Sequence, residues 1–118
     1  MYPGGIVFYQ TPNLHRCHDF YSQRLGFDLW LDQGSCRILR RHNLLLGFIQ
    51  GESTQGDGII TLFYRDQNEV DKAYEDLRDL ADAAPRNHPK FRIYQFFAND
   101  CDGRLLEFQA FNHPIDWP

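Results

Sequence analysis

The sequence predicts an α+β fold in which one strand–helix–strands pattern occurs twice. Three observations carry this expectation. The chain has 118 residues, the size of a single domain, and 42% of them are apolar against 24% charged, which supplies a core and argues against disorder. Short β-branched and aromatic runs alternate with two stretches of helical periodicity. The pattern also restarts, because one offset of 53 positions relates Gly5 to Gly58, Ile6 to Ile59, Asn13 to Asp66 and Tyr21 to Tyr74.

The elements follow in order. Ile6-Val7-Phe8-Tyr9 is β-branched and aromatic and reads as a strand. Pro12 and Asn13 then open a helix, with Asn13 as N-cap and Leu14, Cys17, Tyr21 and Leu25 on one apolar face. Gly26 stands where a left-handed C-cap is expected. Strands are expected at 27–31, 36–40 and 44–50, with turns at Asp32-Gln33-Gly34 and Arg41-His42-Asn43. The polar, Gly-rich stretch 51–58 reads as the most flexible loop. The second half opens with a strand at 59–64 and a helix that starts at Arg65-Asp66. Val70, Ala73, Tyr74, Leu77, Leu80 and Ala81 form its apolar face. Pro85 and Pro89 bracket a stretch read as irregular. Strands at 92–97 and 105–111 then flank a turn at Asn99-Asp100-Cys101-Asp102-Gly103, and the residues from 112 on read as irregular.

Composition removes several functional classes. Twelve Lys and Arg against sixteen Asp and Glu give a net charge of −4, and the longest basic run is Arg40-Arg41-His42, so no nucleic-acid partner is expected. No apolar stretch approaches the roughly 18–20 residues of a membrane span, so no membrane association is expected. The first residues lack the basic-then-apolar order of a signal peptide. Cys17, Cys36 and Cys101 are an odd count without CxxC spacing, which fits reduced thiols and a cytoplasmic location.

Asn13-Leu14, followed by Asp19-Phe20-Tyr21 and Leu25-Gly26-Phe27, resembles the first helix of the vicinal oxygen chelate superfamily. That superfamily holds glyoxalase I, bleomycin-resistance proteins, fosfomycin-resistance enzymes and extradiol dioxygenases. The stretch from Phe96 to Glu107 resembles its closing hairpin, an Asp-Pro-Asp-Gly turn and a Leu-Glu strand, with Cys101 in the place of the proline. The resemblance implies one domain over 1–118 made of two tandem βαβββ modules, about 5–50 and 58–111, whose sheets curl around a central cleft, and a homodimer as the common assembly. It does not imply a reaction, since the fold hosts many.

Metal-dependent members of that superfamily place His or Glu on the first strand of each module and Glu on the last. Glu107 matches the last-strand position. Alternation puts Leu105, Glu107 and Gln109 on one face, away from the fully apolar side formed by Leu106, Phe108 and Ala110. The first-strand positions fall near Ile6 and Ile59, and a slip of two residues reaches only Phe8 or Thr61. Gln50 and Glu52 are what the fourth-strand region offers. An intact mononuclear site is therefore not expected.

The remaining histidines compete poorly. His15 and His18 share i, i+3 spacing but should face solvent, and His42 lies in a turn. His88, in Asn87-His88-Pro89, is the histidine placed nearest a ligand, and His113 could fold over the opening. Flanking carboxylates disfavour a reactive thiolate at Cys101. If Glu107 faces the cleft, the neighbouring strand lines it with Tyr94 and Phe96, or else with Ile93, Gln95 and Phe97; alternation alone leaves the register open. Candidate ligand-binding residues are thus Glu107, Gln109, Tyr94, Phe96 and His88, with Glu107 also a possible general base.

The expected function is binding of a small, partly apolar or cationic molecule at a degenerate metal site, with no cofactor. One alternative is a metal-dependent lyase, isomerase or ring-cleaving dioxygenase that uses Glu107, a divalent metal and further ligands. Another is an accessory dimer whose cleft is filled by its own side chains. Whether the protein is an enzyme stays open at this stage.

Overall fold

The computed structural model describes residues 2–117, which form two compact units, one through Gly56 and one from Asp57. Among the described residues, no helix is long and apolar enough to cross a membrane.

The first unit runs β1 (Val7–Thr11), α1 (Leu14–Leu25), β2 (Asp28–Asp32), β3 (Cys36–Arg41) and β4 (Leu44–Gln50). Its sheet has the order β1-β4-β3-β2, parallel between β1 and β4 and antiparallel elsewhere. Local chemistry sets the helix ends. The Asn13 side chain accepts from the Arg16 amide at 3.0 Å, and Gly26 closes α1 with φ 73°, a left-handed conformation that glycine adopts without a Cβ penalty. The Gln50 amide bridges the end of β4 to the start of α1. It accepts from the Leu14 amide at 2.9 Å and donates to the Pro12 carbonyl at 2.7 Å. Leu14, Cys17, Tyr21 and Leu25 are buried as the periodicity requires, and Tyr21 packs on Phe48 of β4 with ring centroids 4.8 Å apart. On the opposite face the Phe8 ring lies across Gly47, where any Cβ would run into it.

The second unit runs β5 (Ile59–Tyr64), α2 (Gln67–Leu77), β6 (Arg86–His88), β7 (Ile93–Asn99) and β8 (Leu105–Phe111). Its sheet order, β5-β8-β7-β6 with β5 and β8 parallel, repeats that of the first unit. The helix starts are also alike: Asp66 accepts from the Glu69 amide at 2.9 Å, while Glu69 accepts from the Arg65 amide at 3.1 Å. Tyr74 sets its edge against Phe96, which stacks on Phe108 at 4.7 Å, so the α2 side of this sheet is an aromatic core.

Two local expectations change. The helix ends at Leu77, a turn early. The Leu80 and Ala81 amides both bond to the Leu77 carbonyl, and Ala81 then bridges to Ala98 of β7. The stretch between Pro85 and Pro89 is not irregular, since Arg86–His88 is a three-residue strand paired with β7. It is an edge strand, the one place in a sheet where neighbouring prolines remove no needed ladder bond.

The turn before β8 is held rigidly. Gly103 has φ 87°, and Asp100 Oδ1 accepts from the Asp102 and Arg104 amides, each at 2.9 Å. The buried Arg104 guanidinium donates to Asp100 at 3.1 Å and to Asp102 at 3.0 Å. A buried cation is thus paired and hydrogen-bonded. This fixes where β8 begins, and with it the position of Glu107.

Candidate functional site

In the second unit, strand pairing aligns Thr61 of β5, Glu107 of β8 and Phe97 of β7 in one row across the sheet. The next row holds Phe63, Gln109, Gln95 and Arg86, and the one after it Phe111, Ile93 and His88. All lie on the face turned away from α2. The centre of this face is both polar and buried: Glu107, Gln109 and Gln95 are only 9%, 8% and 5% exposed.

Glu107 is held by its neighbours. The Thr61 hydroxyl donates to Oε1 at 2.8 Å. With its amide nitrogen turned to the carboxylate, Gln109 donates to Oε1 at 3.1 Å and to Oε2 at 3.2 Å, whereas the opposite orientation would set oxygen against oxygen. The carboxylate is therefore satisfied by neutral donors, with no ion pair to it among the described residues. Aromatic rings flank this polar centre. Phe63 and Phe111 lie 6.3 Å apart, and Phe97 carries the Arg86 guanidinium 5.8 Å from its ring centroid.

The register selects between the two linings left open by the sequence, and it selects the second. Tyr94 and Phe96 pair with Ala110 and Phe108 and lie on the α2 side, so they do not share the face of Glu107. Phe96 is fully buried between Tyr74 and Phe108. The Tyr94 hydroxyl donates to Asp71 of α2 at 2.6 Å, and that bond, with burial and the Asp71 charge, pushes its phenol up to about 12. The apolar side of β8 had to meet the helix, and pairing carried Tyr94 and Phe96 with it.

His88 does share the face of Glu107 but lies two strands and two rows away, about 16 Å by ordinary strand spacing. Its ring stacks on Phe91, and its Nδ1 accepts from the Phe91 amide at 3.4 Å. His113 sets its edge against Phe111 and donates from Nδ1 to the Pro114 carbonyl at 3.0 Å. Neither is brought to Glu107. Gln50 is consumed by the α1 bridge, and Glu52 is exposed. His15 is exposed beside Asp19 as expected, but His18 is half-buried, and its Nδ1 accepts from Arg37 Nη1 at 2.8 Å.

A second charged cluster ties the edge of this face together. Burial pulls the Asp82 carboxyl up, but the Phe97 amide at 3.0 Å and the Arg86 guanidinium at 3.0 Å outweigh it and hold the group below its usual value.

The donor set can be tested against the metal that a site of this kind would hold. Thr61 and Glu107 occupy the paired first-strand and last-strand positions of the second unit, and Phe8 and Gly47 are paired at the equivalent place in the first. Taken by themselves, one carboxylate and one hydroxyl in the second unit are too few donors for a divalent metal, and a phenyl ring and a glycine in the first supply none. The residues at these positions do not fit a metal.

The chain matches no family model and no curated protein in sequence. Solved structures do match. A glyoxalase/bleomycin resistance protein/dioxygenase from Alicyclobacillus acidocaldarius is similar at 17% identity and TM-score 0.76, over 93% of this chain and 92% of its own. Its counterpart from Nocardioides is 16% identical with TM-score 0.75, over 96% and 87%. The chain has the glyoxalase/bleomycin-resistance/dioxygenase fold. A lactoylglutathione lyase from Agrobacterium tumefaciens has the same glyoxalase-type fold, at 16% identity and TM-score 0.74 over 89% of this chain and 90% of its own. The resemblance carried by the first helix and the closing hairpin thus holds at the level of the fold.

Sequence reasoning placed Glu107 and Gln109 correctly on one face but missed what surrounds them. Thr61, a poor metal ligand by residue type, is instead a hydrogen-bond donor to Glu107. The aromatic neighbours Phe63 and Phe111 depend on which strand lies beside β8, and alternation along one strand carries no signal for that.

Proposed function

We propose that the chain is a small-molecule-binding protein of the vicinal oxygen chelate type that binds without a metal at the face carrying Glu107. The observation that supports this reading is the state of Glu107: a buried carboxylate held by the Thr61 hydroxyl and the Gln109 amide, beside Phe63, Phe97 and Phe111. A buried carboxylate with no cationic partner is costly. A ligand with an ammonium or N–H donor would supply the missing charge, and a flat apolar portion would cover the aromatic rings. Binding of this kind requires affinity alone and no catalytic ion. We further infer that the protein is a cytoplasmic homodimer, from the resemblance and from an odd count of cysteines without CxxC spacing.

The test is elemental analysis of the purified protein before and after incubation with Fe(II), Mn(II), Ni(II) and Zn(II), followed by a thermal-shift screen of planar amines. The expected result is no stoichiometric metal, and stabilisation by amines that Glu107→Gln removes. Near-stoichiometric metal that disappears in Glu107→Ala would overturn the proposal in favour of a metal-dependent enzyme.

A further inference from the structure

The segment after β8 returns to the face that carries Glu107. Asn112 pins its start: the backbone amide donates to the Arg92 carbonyl at 2.8 Å, Oδ1 accepts from Gln67 at 2.8 Å, and Nδ2 donates to Asn87 at 2.8 Å. Five residues later the Trp117 indole lies nearly parallel to the Phe63 ring, 13° between planes and 5.7 Å between centroids. The Arg65 guanidinium carbon stands 5.6 Å from the Trp117 centroid. Phe63 is the cross-strand partner of Gln109, two positions along β5 from the Thr61 that donates to Glu107. The indole therefore sits on the aromatic ring beside the polar centre, about 7 Å from the Glu107 row by strand spacing.

We propose that residues 113–117 form a strap whose Trp117 ring occupies the place of a planar ligand ring on Phe63, so that ligand binding and strap docking compete. This rests on the binding reading above. Three features support it. The strap is fixed at one end, by Asn112, and makes its ring contact at the other. Its contact is a stack of two rings that are each about two-fifths exposed, Phe63 at 41% and Trp117 at 42%, so it is a seat that water and a second ring can reach. The chemistry of the seat is indifferent to which flat ring fills it, since a half-exposed phenyl face stacks with any π-system.

The strap implies a ligand class. A molecule with a flat ring for Phe63 and an ammonium group on a two-carbon arm would reach from the Trp117 position toward Glu107. Tryptamine has this form and is the probe. Its affinity is measured by titration calorimetry for the unmodified protein, Trp117→Ala, a chain ending at Asn112, and Trp117→Ala combined with Glu107→Gln. Vacating the seat should tighten tryptamine binding in the first two variants, by the reciprocal of the fraction of time the seat is free in the unmodified protein. Adding Glu107→Gln should abolish the binding. In parallel, Trp30→Phe leaves Trp117 as the only tryptophan of the two. Its acrylamide quenching should rise when Phe63→Leu is added.

The outcomes separate the two claims. If Phe63→Leu leaves Trp117 quenching unchanged, the strap is not seated and the inference fails, whatever binds. If the seat is present but Trp117→Ala leaves tryptamine affinity unchanged or weaker, competition is refuted while the binding reading stands. If no form of the protein binds tryptamine, both are overturned.

Discussion

The Thr61–Glu107 hydrogen bond permits a quantitative test of the site geometry. Replacing Thr61 with Val keeps the β-branched shape that suits β5 but removes the hydroxyl that donates to Glu107 Oε1 at 2.8 Å. Glu107 is 9% exposed, so water cannot fully replace the lost donor. A hydrogen bond to a charged group contributes about 1.5–3 kcal/mol, and losing it leaves Glu107 held by Gln109 alone. In a domain of this size that corresponds to a fall in Tm of roughly 5–12 °C. Part of any such loss could come from repacking around Val, so the informative quantity is a double-mutant cycle with Glu107→Leu, read by urea unfolding. With the carboxylate gone, Thr61→Val should cost less than about 0.5 kcal/mol, because replacing both partners by apolar groups is close to neutral. An equal cost in both backgrounds would refute the pairing, and with it the β5–β8 register that builds the site.

Three further predictions follow from other parts of the molecule. Gln50→Ala removes both bonds that tie β4 to the start of α1 and should cost about 1–2 kcal/mol in urea unfolding, with faster hydrogen exchange at the Leu14 amide; unchanged exchange would contradict the bridge. Asp82 is held below its ordinary 3.8, so its contribution to stability is present above that pH and is lost as pH falls through the lower folded value. Asp82→Asn should therefore be less stable than the unmodified protein at pH 7, with the difference closing in acid, and a pH-independent difference would count against the assignment. Tyr94 is raised from 10.0 to about 12, so the bond to Asp71 should stabilise the fold fully below pH 10 and be lost between pH 10 and 12. In a phenolate absorbance titration one of the six tyrosines should ionise late and disappear from the late phase in Tyr94→Phe.

Much of the architecture was legible along the chain because its causes are local. Asn13 and Asp66 each bond an amide three residues on, Gly26 adopts the left-handed cap, and the strands at 44–50, 59–64 and 105–111 have the expected bounds. Such features need only neighbours in sequence: a side-chain acceptor near free helix amides, a residue without Cβ, an alternation of period two. The same alternation put Glu107 and Gln109 on the face away from α2.

What the chain did not disclose depends on contacts between distant segments. The choice between Tyr94 with Phe96 and Gln95 with Phe97 is a choice of register, and a shift of one residue exchanges every side chain between faces. Thr61 becomes the donor to Glu107 only because β5 lies parallel beside β8, 46 residues apart in sequence. His88 is carried out of reach by an edge strand that two prolines concealed. The segment after β8 has no period to read, yet the three bonds of Asn112 turn it so that Trp117 meets Phe63. Local pattern was enough for both helix starts, for every strand but the short edge strand Arg86–His88, and for a carboxylate that faces away from α2. What that carboxylate touches is settled by the assembled sheet, because hydrogen-bond partners across a sheet are set by strand order and register, which no local pattern encodes.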